Sequence, residues 1–511
     1  MRIIRKYAAL FRSLPRSGKY LLVISALMIS GYSATTCSST FGAIGDGKYA
    51  FFHDDEFNYY AAAKVFYETG SVKAPLCFME DVAPVTGTSW YGPLYHILYG
   101  SLMRITGFHE HYFIIFNMVF LLLLGLLIAK FRIRKSDRIT ILALLAFSYP
   151  LLVYPLMFFP EIWILLMSAG LIWLLIRISN EDNQKIRIRL LIFYSVLAVV
   201  FVLFRITGVF WLFGLFPFAK TRKEKLVIGS ILAGGLVFTM LYMKYFTAPA
   251  FVMNMSVIGY LAEMDGPMAW IALTENISEN LSTLFFITLK DPAAIMLLFL
   301  FAFAVIRAAF SRNKLLIAAL LISALYFSAI ICIYVAYPFH FIKQTAVLLP
   351  LLITALVVSE KRKGNLAVLF VLPLIFFPWN VSEAKRETQL RKTAWEDVWI
   401  EHPDRRNDVE KIAAFFDDEQ PVVVEFIHYE HAMPKHVFYH ALPLSTTKGA
   451  PITWTASIYS RNLFPDMPYE ERFVKYDKLN VGYILTKDTL HSTGFSQVYA
   501  GIFVNLYKNS L

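Results

Sequence analysis

Uninterrupted apolar blocks of about 15–22 residues recur along the chain, each the length at which a helix crosses the hydrocarbon layer of a bilayer. They lie near 20–38, 112–130, 139–158, 161–177, 190–204, 206–219, 226–246, 292–309, 315–337, 341–358 and 365–380, which makes about eleven spans. Gly92–Thr106 is apolar but short and opens on a proline. It reads as an interfacial helix or an extra span. Of the 511 residues, 57% are hydrophobic and 17% charged, and mean hydropathy is +0.55. Too little polar surface is left to cover a soluble core, which excludes a water-soluble globule and a disordered chain alike.

The net charge of +11 does not point to nucleic acid, because the basic residues stand in short clusters between apolar blocks. The first twenty residues carry Arg2, Arg5, Lys6, Arg12, Arg16 and Lys19 without an acid. Alternate loops repeat the pattern at Lys130–Arg138, Arg177–Arg189, Lys220–Lys225, Arg307–Lys314 and Lys361–Lys363. Under the positive-inside rule this places the amino terminus in the cytoplasm and the carboxyl terminus outside. The first large loop (39–111), the loop 247–291 and the tail are then external. Tyr20–Cys37 lacks a small-residue cleavage site and reads as a first anchor.

The predicted fold class is therefore mainly α: a polytopic transmembrane helical bundle over 1–390, with interfacial helices in the first external loop. From 391 to 511 the composition turns charged. Pro421–Ile427 and Val481–Thr486 are strand-like, which predicts a small α/β extracytoplasmic domain. Two matching halves are absent, which argues against a transporter. Cys37, Cys77 and Cys332 form neither a metal-ligand spacing nor a disulfide framework. His428, His431, His436 and His440 crowd the tail, but Pro434 breaks any helix that would gather them on zinc. Asn276-Ile277-Ser278 and Asn280-Leu281-Ser282 are glycosylation triplets, meaningful in a eukaryotic secretory setting.

Beyond the first span stands His53-Asp54-Asp55-Glu56-Phe57-Asn58-Tyr59-Tyr60, followed by three alanines. Three consecutive acids beside a membrane are costly unless solvated or used. Capping the following helix accounts for one or two of them. The same loop ends in Trp90-Tyr91-Gly92-Pro93-Leu94-Tyr95-His96, where Pro93 can open a helix. Arg205, in Phe204-Arg205-Ile206-Thr207-Gly208, interrupts an apolar stretch near the external face. It can snorkel to headgroups or fork onto a phosphate. Glu161 opens a span on the same side, as a helix N-terminal acid or a second active-site carboxylate. The loop with Glu263, Asp265, Glu275 and Glu279 is acidic and singles out no residue.

Taken together, Asp55-Glu56 with its Tyr-Ala run and Gly92-Pro93-Leu94-Tyr95 some forty residues later resemble the GT-C superfamily of integral membrane glycosyltransferases. Within it they resemble the family of the protein O-mannosyltransferases and the aminoarabinose (lipid A) transferase. Asp55-Glu56 matches that family's Asp-Glu motif, and Gly92–Tyr95 its Pro-Leu-Tyr turn. Pro338–Lys343 with Leu349-Pro350 resembles its Arg-Tyr…Pro element, with His340 in place of the arginine and Lys343 a turn further on. The resemblance implies a polyprenyl-phosphate-linked sugar as donor, with a lipid, glycan or protein hydroxyl as acceptor. It places the protein in a bacterial plasma (inner) membrane, its active site facing outside.

In that chemistry Asp55 is the expected base, with Glu56 or Asp54 orienting it or the acceptor. Arg205, His340 and Lys343 are the expected phosphate-binding cations. Tyr59, Tyr91, Pro93 and Tyr95 are expected to line the substrate loop, and Glu161 is the candidate second acid. A divalent metal on Asp55 or Glu56 is left open, and no other cofactor is implied. A lipid or polysaccharide transporter or flippase and a non-catalytic membrane scaffold are the alternatives.

Overall fold

The computed structural model describes residues 54–70, 72, 93–108, 112–246, 257–258, 260, 264–286, 291–333, 343, 345–360, 366–396, 411–412, 415, 422–425, 455–456, 482–486, 489, 494–501 and 505–510. The helices are α1 (Asp54–Thr69), α2 (Leu94–Thr106), α3 (Tyr112–Ala129), α4 (Lys135–Ala146), α5 (Tyr149–Val153), α6 (Glu161–Ser179), α7 (Gln184–Phe204), α8 (Phe210–Phe213), α9 (Arg222–Phe246), α10 (Gly266–Phe286), α11 (Pro292–Phe310), α12 (Lys314–Ile333), α13 (Leu348–Ser359) and α14 (Leu366–Glu396). Short 3₁₀ turns fill Tyr154–Leu156, Ile206–Val209 and Phe216–Phe218.

Among the described residues seven helices are long and apolar enough to span a membrane (α3, α6, α7, α9, α11, α12 and α14), and a bent pair adds an eighth if it counts as one span. The protein is a multi-pass membrane protein. The expected span 139–158 bends by 68° between α4 and the segment Tyr149–Leu156. Pro150 sits in the first turn of α5 and Pro155 in the following 3₁₀ turn. Neither proline can donate the amide that would continue one helix. The expected span 206–219 is a 3₁₀–α–3₁₀ run of Ile206–Phe218. Even as straight helix it would reach only about 20 Å of a roughly 30 Å core. The expected span 341–358 contains the short helix α13, and the span 20–38 lies outside the described residues.

The spanning helices carry apolar residues on their outer faces: Leu122 and Leu126 on α3, Phe193 and Val196 on α7, Met240 on α9, Ile375 on α14. Such a belt suits a lipid solvent, in which every backbone group must be satisfied within the helix. Caps stand at the turns. Asn183 accepts from Lys185 N at 3.0 Å, Asp291 from Ala293 N at 2.8 Å and Asn313 from Leu315 N at 2.9 Å.

Because the helices alternate in direction, the turns after α3, α6, α11 and α13 and the one before α9 gather at one end, where the basic clusters are. The starts of α6, α11 and α13 and the ends of α7 and α14 gather at the other. At the basic end Arg187 and Glu224 form a buried pair at 2.9 Å, and Arg307 meets Glu360 at 2.8 Å.

Among the described residues the tail carries five strands: β1 (Val422–Glu425), β2 (Thr455–Ala456), β3 (Tyr483–Thr486), β4 (Phe495–Ala500) and β5 (Asn505–Asn509). Their order is β2-β1-β3-β5-β4. β1 runs parallel to β2 and β3, whereas β3–β5 and β4–β5 are antiparallel. The helix α14 runs through residue 391, where the change of composition sets the start of the soluble domain.

Candidate functional site

The helix α1 is the first piece of the site. Its buried positions Glu56, Tyr59, Tyr60, Ala62 and Ala63 recur at helical spacing, and Gly70, at φ +77°, ends it. It lies against α2 at Gly100, where an added Cβ would come within 2.6 Å of the Phe66 ring and 3.0 Å of the Ala63 carbonyl. Glycine is required for that approach. Pro93 is the residue before α2, with φ −79° and ψ −17°, a geometry that suits its fixed ring.

Glu56 is fully buried. Its carboxylate receives the Phe158 amide at 2.7 Å and lies 2.9 Å from Nη1 of Arg391, near the end of α14. Arg391 also lies 3.6 Å from Glu387, one turn earlier. This pair joins residues 335 apart in sequence. The next residue, Phe159, carries the Nζ of Lys343 over its ring at 4.4 Å, and Tyr59 carries it at 5.5 Å.

Two residues further on, Glu161 opens α6. Its Oε1 lies 2.6 Å from Nη2 of Arg205, and both side chains are buried. Arg205 leaves the end of α7 in an extended conformation, φ −156° and ψ 119°, which turns the chain into the 3₁₀ corner. Gly208 allows the corner to fold back, since a Cβ there would come within 2.8 Å of the Phe201–Val202 backbone. Nη1 of Arg205 donates to the Lys343 carbonyl at 2.7 Å. One short segment, residues 158–161, therefore joins two buried ion pairs and a buried lysine. Glu56, Glu161 and Glu387 stand with Arg205, Lys343 and Arg391.

An aromatic ladder closes the same region. Ring centroids of Tyr59 and Tyr95 are 4.4 Å apart, Tyr95 and Tyr99 4.5 Å, and Tyr99 and Phe113 4.9 Å. Tyr99 donates to Asn117 at 2.8 Å, and Asn117 in turn donates to the Met157 carbonyl at 2.9 Å. Burial, then the charges of Tyr99, Glu161 and Glu56, push the Tyr95 phenol well above its ordinary range. Burial, then Glu161, does the same to Tyr99. Beside them His96 is buried with Nδ1 3.1 Å from the Val72 carbonyl, and burial holds its imidazole down at about 4.

Six of the residues that the sequence singles out come together: Glu56, Tyr59, Tyr95, Glu161, Arg205 and Lys343. Asp54 and Asp55 open α1, and their side chains lie outside the described residues, as do Tyr91 and His340. The tail histidines 428, 431, 436 and 440, with Glu263, Cys37 and Cys77, also lie outside them. Sequence reasoning missed Arg391, Glu387 and the Phe158 amide. The one local signal for Arg391 is its i,i+4 spacing from Glu387.

Asp265 caps α10, accepting from Met268 N at 3.1 Å, and Glu275 and Glu279 face outward. The side chains of Asn276 and Asn280 are buried and donate to carbonyls at the end of α12, including Ile331 at 2.9 Å. The two triplets thus staple α10 to α12 and are no glycan acceptors. Among the described residues no three His, Cys, Asp or Glu side chains gather as a metal site requires.

No protein-family model and no curated protein matches the chain. Among solved structures it is similar to ArnT from Cupriavidus metallidurans bound to undecaprenyl phosphate, with 9% identity, 96% of this chain and 98% of that chain covered, and a TM-score of 0.47. It is also similar to the archaeal oligosaccharyltransferase AglB from Archaeoglobus fulgidus in complex with an inhibitory peptide and a dolichol-phosphate. There the identity is 12%, with 92% of this chain and 70% of that chain covered and a TM-score of 0.47. The likeness assigns no residue a role.

Proposed function

We propose that this membrane protein is a glycosyltransferase. It moves a sugar from a polyprenyl-phosphate donor to a lipid, glycan or protein hydroxyl at the external face of a bacterial plasma membrane. The observation that carries the reading is the buried set of Glu56, Glu161, Arg205, Lys343 and Arg391 at the end of the bundle from which the acidic helix α1 starts. Ionisable groups inside an apolar bundle are expensive and mark chemistry or transport. The motif resemblance supplies the donor class.

Asp55 takes the acceptor proton as the acceptor oxygen attacks the anomeric carbon. The bond from that carbon to the phosphate oxygen breaks, its electron pair stays with the phosphate, and polyprenyl phosphate leaves. A single displacement inverts the anomeric centre. Charge develops on the leaving phosphate, and Arg205 and Lys343, with His340, stabilise it there. Glu56, held by Arg391 and the Phe158 amide, fixes the α1 turn that carries Asp55, and so acts as a positioning residue. We assign the tail beyond Glu396 to acceptor choice.

Asp55→Asn tests the reading, in purified protein supplied with polyprenyl-phosphate-linked sugars extracted from the host membrane. Turnover is expected to fall by about 10²–10⁴-fold, while binding of polyprenyl phosphate and thermal stability stay at the wild-type level. Wild-type turnover in Asp55→Asn would overturn the assignment. Mass spectrometry of the cell envelope with and without the protein then names the transferred sugar by its mass.

A further inference from the structure

The pair Glu161–Arg205 is built unlike a finished salt bridge. Oε1 of Glu161 holds Arg205 at 2.6 Å. Its other oxygen, Oε2, is buried and has no hydrogen-bond partner among the described residues. The phenolic oxygens of Tyr95 and Tyr154 are likewise buried and have none there. Both phenols belong to the same aromatic cluster, since Tyr154 lies edge-on to Phe159 at 6.3 Å and Phe159 edge-on to Tyr59 at 6.1 Å. A half-satisfied carboxylate, two residues on from Phe159, thus shares one buried region with two phenols that have O–H groups to give. A buried polar atom without a partner calls for an explanation, and a second arrangement that satisfies it is one.

We infer that Glu161 is an exchangeable counter-ion of Arg205: it holds the guanidinium while the site is empty, passes to the phenols of Tyr95 and Tyr154 when a lipid phosphate takes Arg205, and returns to expel the product phosphate. The inference rests on the reading of Arg205 as a phosphate ligand. In the paired state the guanidinium is neutralised and under cover, so a phosphate must displace a carboxylate to reach it. A buried carboxylate cannot be left alone, because an uncompensated charge in the interior costs several kcal/mol. Two neutral O–H donors, each giving a charge-assisted hydrogen bond, make its release affordable. Glu161 therefore sets the affinity for product as a positioning residue and takes no proton from the acceptor.

The test measures binding of a polyprenyl monophosphate to the full-length protein in detergent micelles. A binding-competent state populated one-tenth of the time weakens apparent affinity about tenfold, so Glu161→Gln should bind about tenfold more tightly and show stronger product inhibition. Tyr95→Phe with Tyr154→Phe should bind about fivefold more weakly, for the hydrogen bonds lost. In the Glu161→Gln background the phenol changes should have no effect, a coupling that mere packing does not produce.

Arg205→Gln separates the two readings. If it binds polyprenyl phosphate like wild type, Arg205 is no phosphate ligand. If it loses binding while Glu161→Gln binds no more tightly than wild type, the counter-ion alone is overturned. Should Glu161→Gln fail to accumulate, Glu161→Asp, whose shorter arm loosens the pair, is read in the same two directions.

Discussion

The two ends of the bundle each bury an arginine–carboxylate pair, and the pairs are finished differently. At the basic end Arg187 gives Nε to Glu224, Nη2 to the Phe218 carbonyl at 2.6 Å and Nη1 to the carbonyls of Ile178 and Glu181. Glu224 also accepts the amides of Lys220 and Thr221. The charges are fully coordinated and tie α6, α7 and α9 together. At the opposite end Glu161 uses one oxygen and leaves the other without a described partner. A saturated pair is a clamp with nothing left to give. An unsaturated one keeps capacity for a ligand, at a cost in stability that the rest of the fold must carry.

That contrast can be broken experimentally. The largest effect belongs to the clamp: Arg187→Ala should lower stability in detergent by about 3–5 kcal/mol, because it strands a buried Glu224. Activity per folded molecule should stay unchanged. The double change Arg187→Met with Glu224→Leu should recover most of that loss. A double variant as unstable as the single one would show that charge is not what the clamp supplies.

Next comes acid sensitivity, which should belong to the site end. The His96 imidazole sits at about 4 in the fold against 6.5 ordinarily. As pH falls below 6.5 the unfolded chain takes up the proton first. Stability present above that pH is therefore lost between 6.5 and 4, by up to about 3 kcal/mol. Denaturation midpoints across that window check this, and His96→Gln should flatten the profile. The smallest effect is at the rim: Lys220 and Asp182 pair at 2.9 Å with Asp182 in open solvent, and Asp182→Asn should leave the unfolding midpoint within experimental scatter.

Much of this architecture is legible in the chain because a bilayer asks for something simple. Length and hydropathy locate the seven long helices, and the lysine and arginine clusters sort their ends. Strands at Val422–Glu425 and Tyr483–Thr486 fall where the alternating runs stand. The bend in the third expected span was hidden by hydropathy, although Pro150 and Pro155 marked it chemically. Asn276 and Asn280 read as glycosylation triplets because a triplet says nothing about burial.

Half of the site was legible and half was not, for one reason. Acids and cations that interrupt apolar sequence stand out, as Glu161 and Arg205 do. Arg391 stands among Lys385, Arg386 and Lys392 and looks like any basic flank. Only its contact with Glu56 on α1, 335 residues earlier, distinguishes it.

The Glu56–Arg391 bond carries a consequence for biosynthesis. Its two halves leave the ribosome far apart in time, with α3, α6, α7, α9, α11 and α12 made in between. A nascent chain interrupted before α14 holds an acidic helix whose guanidinium has not yet been made. The buried Glu56–Arg391 pair thus forms only once the end of α14 has been made, long after α1.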